Sequence, residues 1–487
     1  MRSAADANGG ASIHICAILE SQVRGDFDDI GREDRLLDKR EYISAFRFGF
    51  GQVASKGEHF DPAAELERTM EPGTQALDEL AVKLPEQFSE ARAVNVIRHT
   101  RLADFNEAKR QYVLKWRELD GRNNHRLVID GVTTHTPFLK RLSAFWMNHF
   151  SIGRFQQQAK ITTGYYELGA IWPNLLGNFA DLLIAAELFP SMIYYLNLQT
   201  SIGPNSKLGL QKGKGLNENL GREILELHTL GADAGYTQTD VTELAKIMTG
   251  WLVDVNKGRT VFHANRAEPG VKTLLGKTFG DGPRSSQFHD ALRMLAAEPA
   301  TARHVGRKLA LHFIGPDSDG EAKEIERAFI AGGGELKPVY HRLLEVADGK
   351  PFGMQMRNDF EFVISALRAV RLRKGAIDFQ ATEQLQAKGR SLTSGALRQL
   401  TQRLWSAPTP QGWPDDPAFW LSPTVISRRL QWLPKLIAQV DDIEPDDLLG
   451  DALGPLASGN TRKTVKLASN RLEGIGLVLA SPEFNRR

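Results

Sequence analysis

The chain carries a single cysteine, Cys16, in 487 residues, which excludes an intrachain disulfide and any thiolate-built zinc or iron–sulfur centre. A metal would have to be held by His, Asp and Glu alone, and neither a tightly bound zinc or iron nor any other cofactor is expected. Charge of one sign is also missing. The 61 Lys and Arg stand against 59 Asp and Glu, a formal charge of +2, so no global attraction to nucleic acid or anionic membrane exists and no nucleic-acid partner is expected. Long apolar runs are absent: Leu182-Leu-Ile-Ala-Ala186 falls far short of the ~20 residues of a membrane span. What remains is ordinary for a soluble protein, with 41% hydrophobic residues and ample length for a large core.

The N-terminal segment Ile13-His-Ile-Cys-Ala-Ile-Leu19 has about the minimum apolar length of a signal peptide. Asp6 precedes it, His14 interrupts it, and Glu20 follows without a small-x-small cleavage site, so no signal peptide is read and a cytoplasmic location is expected. Residues 1–42 read as a partly disordered extension and residues 43–487 as one large helical domain.

Helical periodicity dominates. Between Glu86 and Asp120, apolar residues recur every three or four positions with one five-residue step, implying one long helix or two, and similar patterns run at about 40–51, 61–83, 137–151, 173–198, 286–314, 321–348, 355–373, 380–406, 418–440 and 463–480. Strand signals are scarce. Thr260–His263 and Lys272–Phe279 suggest a small hairpin after Trp251, and Arg126-Leu-Val-Ile-Asp130 suggests a further short strand. The fold class is therefore mainly α, a large multi-helical body with at most a small β-hairpin.

The densest polar chemistry lies in Gly215-Leu-Asn-Glu-Asn-Leu-Gly-Arg-Glu-Ile-Leu-Glu-Leu-His-Thr-Leu-Gly231. Asn217 or Asn219 can cap a helix over about 218–230, with Gly231 as its left-handed stop. Thr237 and Asp240 predict a capping box for the next helix, whose buried stripe is Val241, Leu244, Ala245 and Met248. At 100° per residue, Asn219, Glu223 and Glu226 share one face of the first helix. Leu220, Ile224 and Leu227 form its apolar stripe, with His228 at the edge, so a continuous helix points Glu226 and His228 apart. Arg222, four residues from both Glu218 and Glu226, predicts a buried carboxylate network.

Two functional classes fit these residues. In the first the polar groups knit helices together in a scaffold or partner-binding protein. In the second Glu223 or Glu226 acts as acid or base in a hydrolase, with His228 or His149 nearby and Arg222, Asn217 and Asn219 as substrate-binding candidates. No Gly-x-Ser-x-Gly or other nucleophile motif is present. Two loops complete the picture. Ser201–Gly215 is basic and Gly-rich and reads as a flexible connector, and Ala407–Asp415 is a proline-rich turn whose Trp413 should pack on the body.

Several further segments occur in a fixed order: Arg47-Phe-Gly-Phe-Gly51, Phe145-Trp-Met-Asn-His-Phe150, Gly203-Pro-Asn-Ser206, Pro269–Gly276, Lys308-Leu-Ala-Leu-His-Phe313, Phe360–Arg368, Gly412-Trp-Pro414 and Ala480-Ser-Pro-Glu-Phe484. With the 215–251 signature they resemble the domain-of-unknown-function family 1800 from about Ile43 to Arg487. That resemblance implies a bacterial protein without an established biochemistry. It also implies a sulfatase-like neighbour as a partner by association, and export or a periplasmic site as the alternative location. Relatives often carry histidine where Met147 and Ala267 stand, so any imidazole site built on those positions is incomplete in this chain.

Overall fold

The computed structural model describes residues 33–51, 60–68, 86, 89, 102–153, 162–213, 215–282, 284–371, 392–440 and 443–487. The N-terminal apolar patch and parts of the stretches expected at 61–83, 86–120 and 380–406 lie outside the described residues.

The first half of the chain supplies α1 (Glu33–Phe48), α2 (Pro62–Leu66), α3 (Leu102–Thr133), α4 (Pro137–His149), α5 (Phe179–Glu187), α6 (Pro190–Tyr195), α7 (Lys207–Lys212), α8 (Asn219–Glu223) and α9 (Gln238–Ile247). Two hairpins follow, β1 (Trp251–Asp254) with β2 (Arg259–Phe262), and β3 (Lys272–Leu274) with β4 (Lys277–Phe279). Next come α10 (Ser286–Ala296), α11 (Pro299–Phe313), α12 (Asp319–Ala331), α13 (Leu336–Ala347), α14 (Asp359–Arg371) and α15 (Ser394–Gln399). The chain finishes with α16 (Pro417–Trp420), α17 (Pro423–Ile437), α18 (Pro445–Ala452), α19 (Gly459–Lys466), α20 (Arg471–Ala480) and α21 (Pro482–Asn485).

The mainly helical class is as expected, but the stretches at 173–198, 321–348, 418–440 and 463–480 are each divided into two helices, and other details differ. Arg126–Asp130 is not a strand but part of α3, its β-branched pair being carried by a long helix. The two strand segments after Trp251 form separate antiparallel hairpins and do not pair with each other. The stretch 286–314 breaks into α10 and α11 because Pro299 can start a helix but cannot continue one. The loop 201–215 is not a slack connector. Ser206 caps α7 through Gly209 N (3.0 Å), and the Glu268 carboxylate receives both Asn205 N (2.9 Å) and Asn205 Nδ2 (2.6 Å).

Among the described residues the apolar core falls into two large clusters, with a small third one of Met356, Trp420 and Val425. One gathers α4, α5, α6, α8, α9 and α10–α13 around Trp146, Phe150, Phe179, Leu309 and Phe313. The other gathers α14, α15 and α17–α20 around Phe46, Phe362, Trp432 and Phe484. Helices α1 and α3 face both: Phe48 enters the first cluster and Phe46 the second, and Leu127 and the adjacent Val128 divide in the same way. Between the clusters runs a seam of buried charge.

Candidate functional site

The signature helix starts much as its residues require. Asn217 Oδ1 accepts from Asn219 N (3.1 Å), and its Nδ2 donates to the Leu196 and Asn197 carbonyls (3.1 and 3.2 Å), so this side chain forms a turn just before the Glu218 N-cap of α8, where neither Asn217 nor Asn219 is the capping residue, and ties the helix start to the end of α6. The Asn219 side chain is exposed. The Thr237–Asp240 capping box is present, and Val241, Leu244, Ala245 and Met248 are buried as expected.

After Glu223 the helix changes character, because Ile224–His228 winds as a π-helix. Its i→i+5 pattern advances roughly 80° per residue instead of 100°. His228 is thereby swung back into line with Leu220 and Ile224, and Leu227 is turned outward. This corrects two expectations: His228 is fully buried where a continuous α-helix would leave it at the edge, and Leu227 is half-buried rather than in the core. The wide turn is closed by Thr229, whose hydroxyl donates to Ile224 O at 2.7 Å, and by Gly231 (φ +88), whose N–H reaches Leu225 O at 3.2 Å.

A helix end leaves carbonyls without partners, and here imidazoles serve them. His304 Nε2 donates to Leu227 O (3.0 Å) and His149 Nε2 to His228 O (3.2 Å). Burial, reinforced by nearby Lys308, holds His149 well below the ordinary imidazole value and brings His304 down to about 4, so both rings stay neutral. The His228 ring turns instead to α5, with Nδ1 2.6 Å from Glu187 Oε1 and both side chains fully buried.

The two glutamates are half-buried. Burial raises the Glu223 carboxyl, a shift opposed by His228 and Arg222 and reinforced by Glu226 and Glu187. Arg222 is exposed, and the buried network expected around it does not form. Its guanidinium donates to Gln238 Oε1 (2.6 Å), and Gln238 passes the contact to Glu218 (2.8 Å), which also accepts from the Thr242 hydroxyl (2.7 Å). No carboxylate lies within 4.0 Å of Arg222 among the described residues. Among the described residues, no group of three or more His, Cys, Asp and Glu side chains is placed to hold a metal ion.

The seam between the core clusters is the polar feature that periodicity missed. Glu361, 2% exposed, lies 3.0 Å from Arg141 Nη2 through Oε1 and 2.9 Å from Arg487 Nε through Oε2. His312 Nε2 is 3.6 Å from Glu361, and its Nδ1 is 2.6 Å from Asp415 Oδ1. Burial works against the Glu361 carboxylate, but Arg141 and Arg487 outweigh it and hold the group below its ordinary range. Burial also brings Arg141 and Arg357 down to about 9. Arg357 donates to Phe484 O (2.7 Å) and sits over the rings of Phe46 (4.3 Å) and Phe484 (4.9 Å). The turn that delivers Asp415 is clamped by one side chain: Asn148 Nδ2 donates to Trp413 O and Trp413 N donates to Asn148 Oδ1, both at 2.8 Å. Gly412 is required there, since at φ +90 a Cβ would meet Asn148 O at 2.5 Å.

A cleft of about 70 Å³ opens beside this seam. Its walls come from α4 (Met147, Asn148), from His312 and Glu361, and from the segment carrying Gln402, Trp405 and Trp413. Trp405 is held at φ +57, a left-handed conformation unusual for a bulky residue and costing on the order of 1–3 kcal/mol, with its indole N–H on Asn124 Oδ1 at 2.9 Å. None of Glu223, Glu226, His228 and His149 lines this cleft. The sequence held one clue to it. The segments Arg47–Gly51, Phe145–Phe150, Lys308–Phe313, Phe360–Arg368, Gly412–Pro414 and Ala480–Phe484 all supply residues to the seam or its walls.

No curated protein and no solved structure matches this chain. A family model does match, described as a protein of unknown function (DUF1800), over residues 44–486. With nearly the whole chain covered, this protein belongs to the DUF1800 family.

Proposed function

We propose that the chain acts as a helical scaffold or partner-binding protein. The observation that carries this reading is the use made of the imidazoles packed around the signature helix. His149 and His304 close the carbonyls at the end of the π turn, and the buried His228 ring lies 2.6 Å from Glu187 of α5, although without hydrogen-bond geometry. Buried groups held against other elements of the fold are poorly placed for proton transfer with a solvent-borne substrate. The partner implied by the family resemblance is a sulfatase-like protein, and a cytoplasmic site of action goes with the reading of the N-terminus.

The alternative, a hydrolase with Glu223 or Glu226 as acid or base, is favoured by one observation: the half-buried Glu223 carboxyl is raised by burial and sits near Glu226. Paired variants separate the two readings. In the scaffold reading His228→Ala and His149→Ala lower the melting temperature, while Glu223→Gln and Glu226→Gln leave it within about 2 °C and leave co-purification with a co-expressed sulfatase-like protein intact. Hydrolysis of an ester, peptide or glycoside by the purified chain that is lost in Glu223→Gln or Glu226→Gln would reverse the order.

A further inference from the structure

We propose that the groove between β4 and α10 takes an extended peptide of a partner protein as a third strand on β4, with an acidic side chain of that peptide at the end marked by Lys277 and Arg293. This rests on the partner-binding reading and names the chemistry of one partner surface. None of Glu223, Glu226, His228 and His149 lines the groove.

The β3–β4 hairpin has one edge filled and one open. Its register pairs Lys272 with Phe279, Thr273 with Thr278 and Leu274 with Lys277, and the strands are joined by a tight turn of Leu275 (φ +49) and Gly276 (φ +77). In such a hairpin the residues flanking the turn exchange hydrogen bonds across the ladder, and the next pair directs its N–H and C=O outward. Gly270 N donates to Asp281 O at 2.9 Å, on the same register and in the same alternation. Thr273 and Thr278 are therefore the outward pair. On the β3 side two carboxylates of α9 are the partners: Thr273 N donates to Glu243 Oε2 (3.0 Å) and Leu275 N to Asp240 Oδ1 (2.8 Å). On the β4 side the N–H and C=O of the exposed Thr278 have no partner among the described residues.

A short strand edge open to water is ordinary. This one borders a groove. Gln287, in the first turn of α10, donates to Gly280 O (2.6 Å) and Gly282 O (2.8 Å), which fastens the end of β4 to the start of the helix. From there α10 runs back along the strand, and the groove of about 630 Å³ is lined by Lys277–Phe279 on one side and by the helix from Ser286 to Ala297 on the other. That helix face is roughly 16 Å long at 1.5 Å per residue, the length of about five residues of extended chain. A free donor and acceptor on the strand and a groove of this length suit a main chain laid beside β4. In that mode of recognition backbone bonds supply affinity and lining side chains supply selectivity.

Charge sets the selectivity. Lys277, Arg284 and Arg293 line the groove together with Asp281 and Asp290, and none of these side chains makes an ion pair within 4.0 Å among the described residues. The two carboxylates lie toward the fastened end, Asp281 next to Gly280 and Asp290 one turn from Ser286. At the other end stand Lys277, which opens β4, and Arg293, in the last turn of α10. Both are exposed, and no lining carboxylate lies beyond them. An acidic residue of the guest is the complement of that end.

The test uses hexapeptides of alternating valine and threonine with one glutamate at either terminus, beside counterparts with lysine in its place, titrated into the full chain by calorimetry. One glutamate peptide should bind saturably, and its lysine counterpart at least about tenfold more weakly. A strand pairs through one edge only, so N-methylation of every second residue should abolish binding in one phase and spare it in the other. Thr278→Pro removes the outward N–H and leaves the ladder to β3 intact, so it should abolish binding at a melting temperature near the parent's. Arg293→Glu should turn the preference toward the lysine peptide. Should Thr278→Pro fail to fold, the two N-methyl phases decide the same point on the parent chain. No saturable binding to the folded parent, equal loss in both N-methyl phases, binding that survives Thr278→Pro, or a preference unmoved by Arg293→Glu each overturns the proposal. The partner-binding reading is measured separately, by co-purification with a folded partner.

Discussion

Replacing Glu361 by Gln tests whether the seam is held by charge or only by shape. Glutamine preserves the volume and can still accept from Asn358 N (3.2 Å), so the cap of α14 is retained. What disappears is the negative charge 3.0 Å from Arg141 and 2.9 Å from Arg487, at a position only 2% exposed. Removing one partner of a buried ion pair strands the other, at a cost of about 3–5 kcal/mol. The lower half of that range is the better expectation, because Arg141 keeps Gly49 O at 2.8 Å and Arg487 keeps the His312 carbonyl. The sign of the pH dependence follows from the lowered Glu361 value. A carboxyl whose folded pKa lies below its unfolded one contributes stability that is fully present above the unfolded value, roughly 4.3, and is lost as the pH falls through the lower folded value. Urea denaturation of parent and variant should therefore show a gap of about 3 kcal/mol at pH 7 that closes below pH 4. A gap under about 1 kcal/mol at pH 7, or one that does not change with pH, would refute the charge-based account.

Arg222→Ala should cost under about 1 kcal/mol in the same assay, because its contacts are exposed and pass through Gln238; a loss near 3 kcal/mol would restore the buried network. Gly412→Ala combines a left-handed backbone with a Cβ only 2.5 Å from Asn148 O and should cost more than about 2 kcal/mol, loosening the Trp413 turn. Faster amide exchange at Trp413 N than in the parent is the matching observation. Glu65 is 4% exposed and accepts from Phe138 N and Leu139 N, and burial raises its carboxyl to about 7. Its contribution is fully present below its unfolded value and is lost as the pH rises through about 7. Glu65→Gln should therefore gain on the order of 2–3 kcal/mol relative to the parent between pH 5 and pH 8, and a pH-independent difference would sink the idea.

The helices were legible because their chemistry is local. Thr237 and Asp240 meet within one turn, and the stripe Val241, Leu244, Ala245 and Met248 follows from the period alone. The π turn was not, since no apolar period announces five-residue winding. Its one local sign is Thr229, a hydroxyl five residues beyond the carbonyl it satisfies. Burial of His228 and the outward turn of Leu227 both follow from that unread step. The seam was illegible for another reason. His312 and Asp415 are separated by 103 positions, and no spacing rule pairs residues so far apart. Arg222 misled because helix spacing fixes which residues are neighbours but not whether their face is covered.

The span of these contacts has a kinetic consequence. Helical proteins usually fold quickly because their contacts are local, yet here Trp146 reaches Tyr340 across 194 positions, Arg141 reaches His312 across 171, and Arg47 reaches Ala347 across 300. Closing such loops costs chain entropy before any contact rewards it. Individual helices should therefore form early on refolding, while Arg141 stays hydrated until α14 arrives with its counter-charge. Ordering of Trp146 should then lag the gain of helix, and the rate-limiting event would be the meeting of distant segments rather than the winding of any one of them.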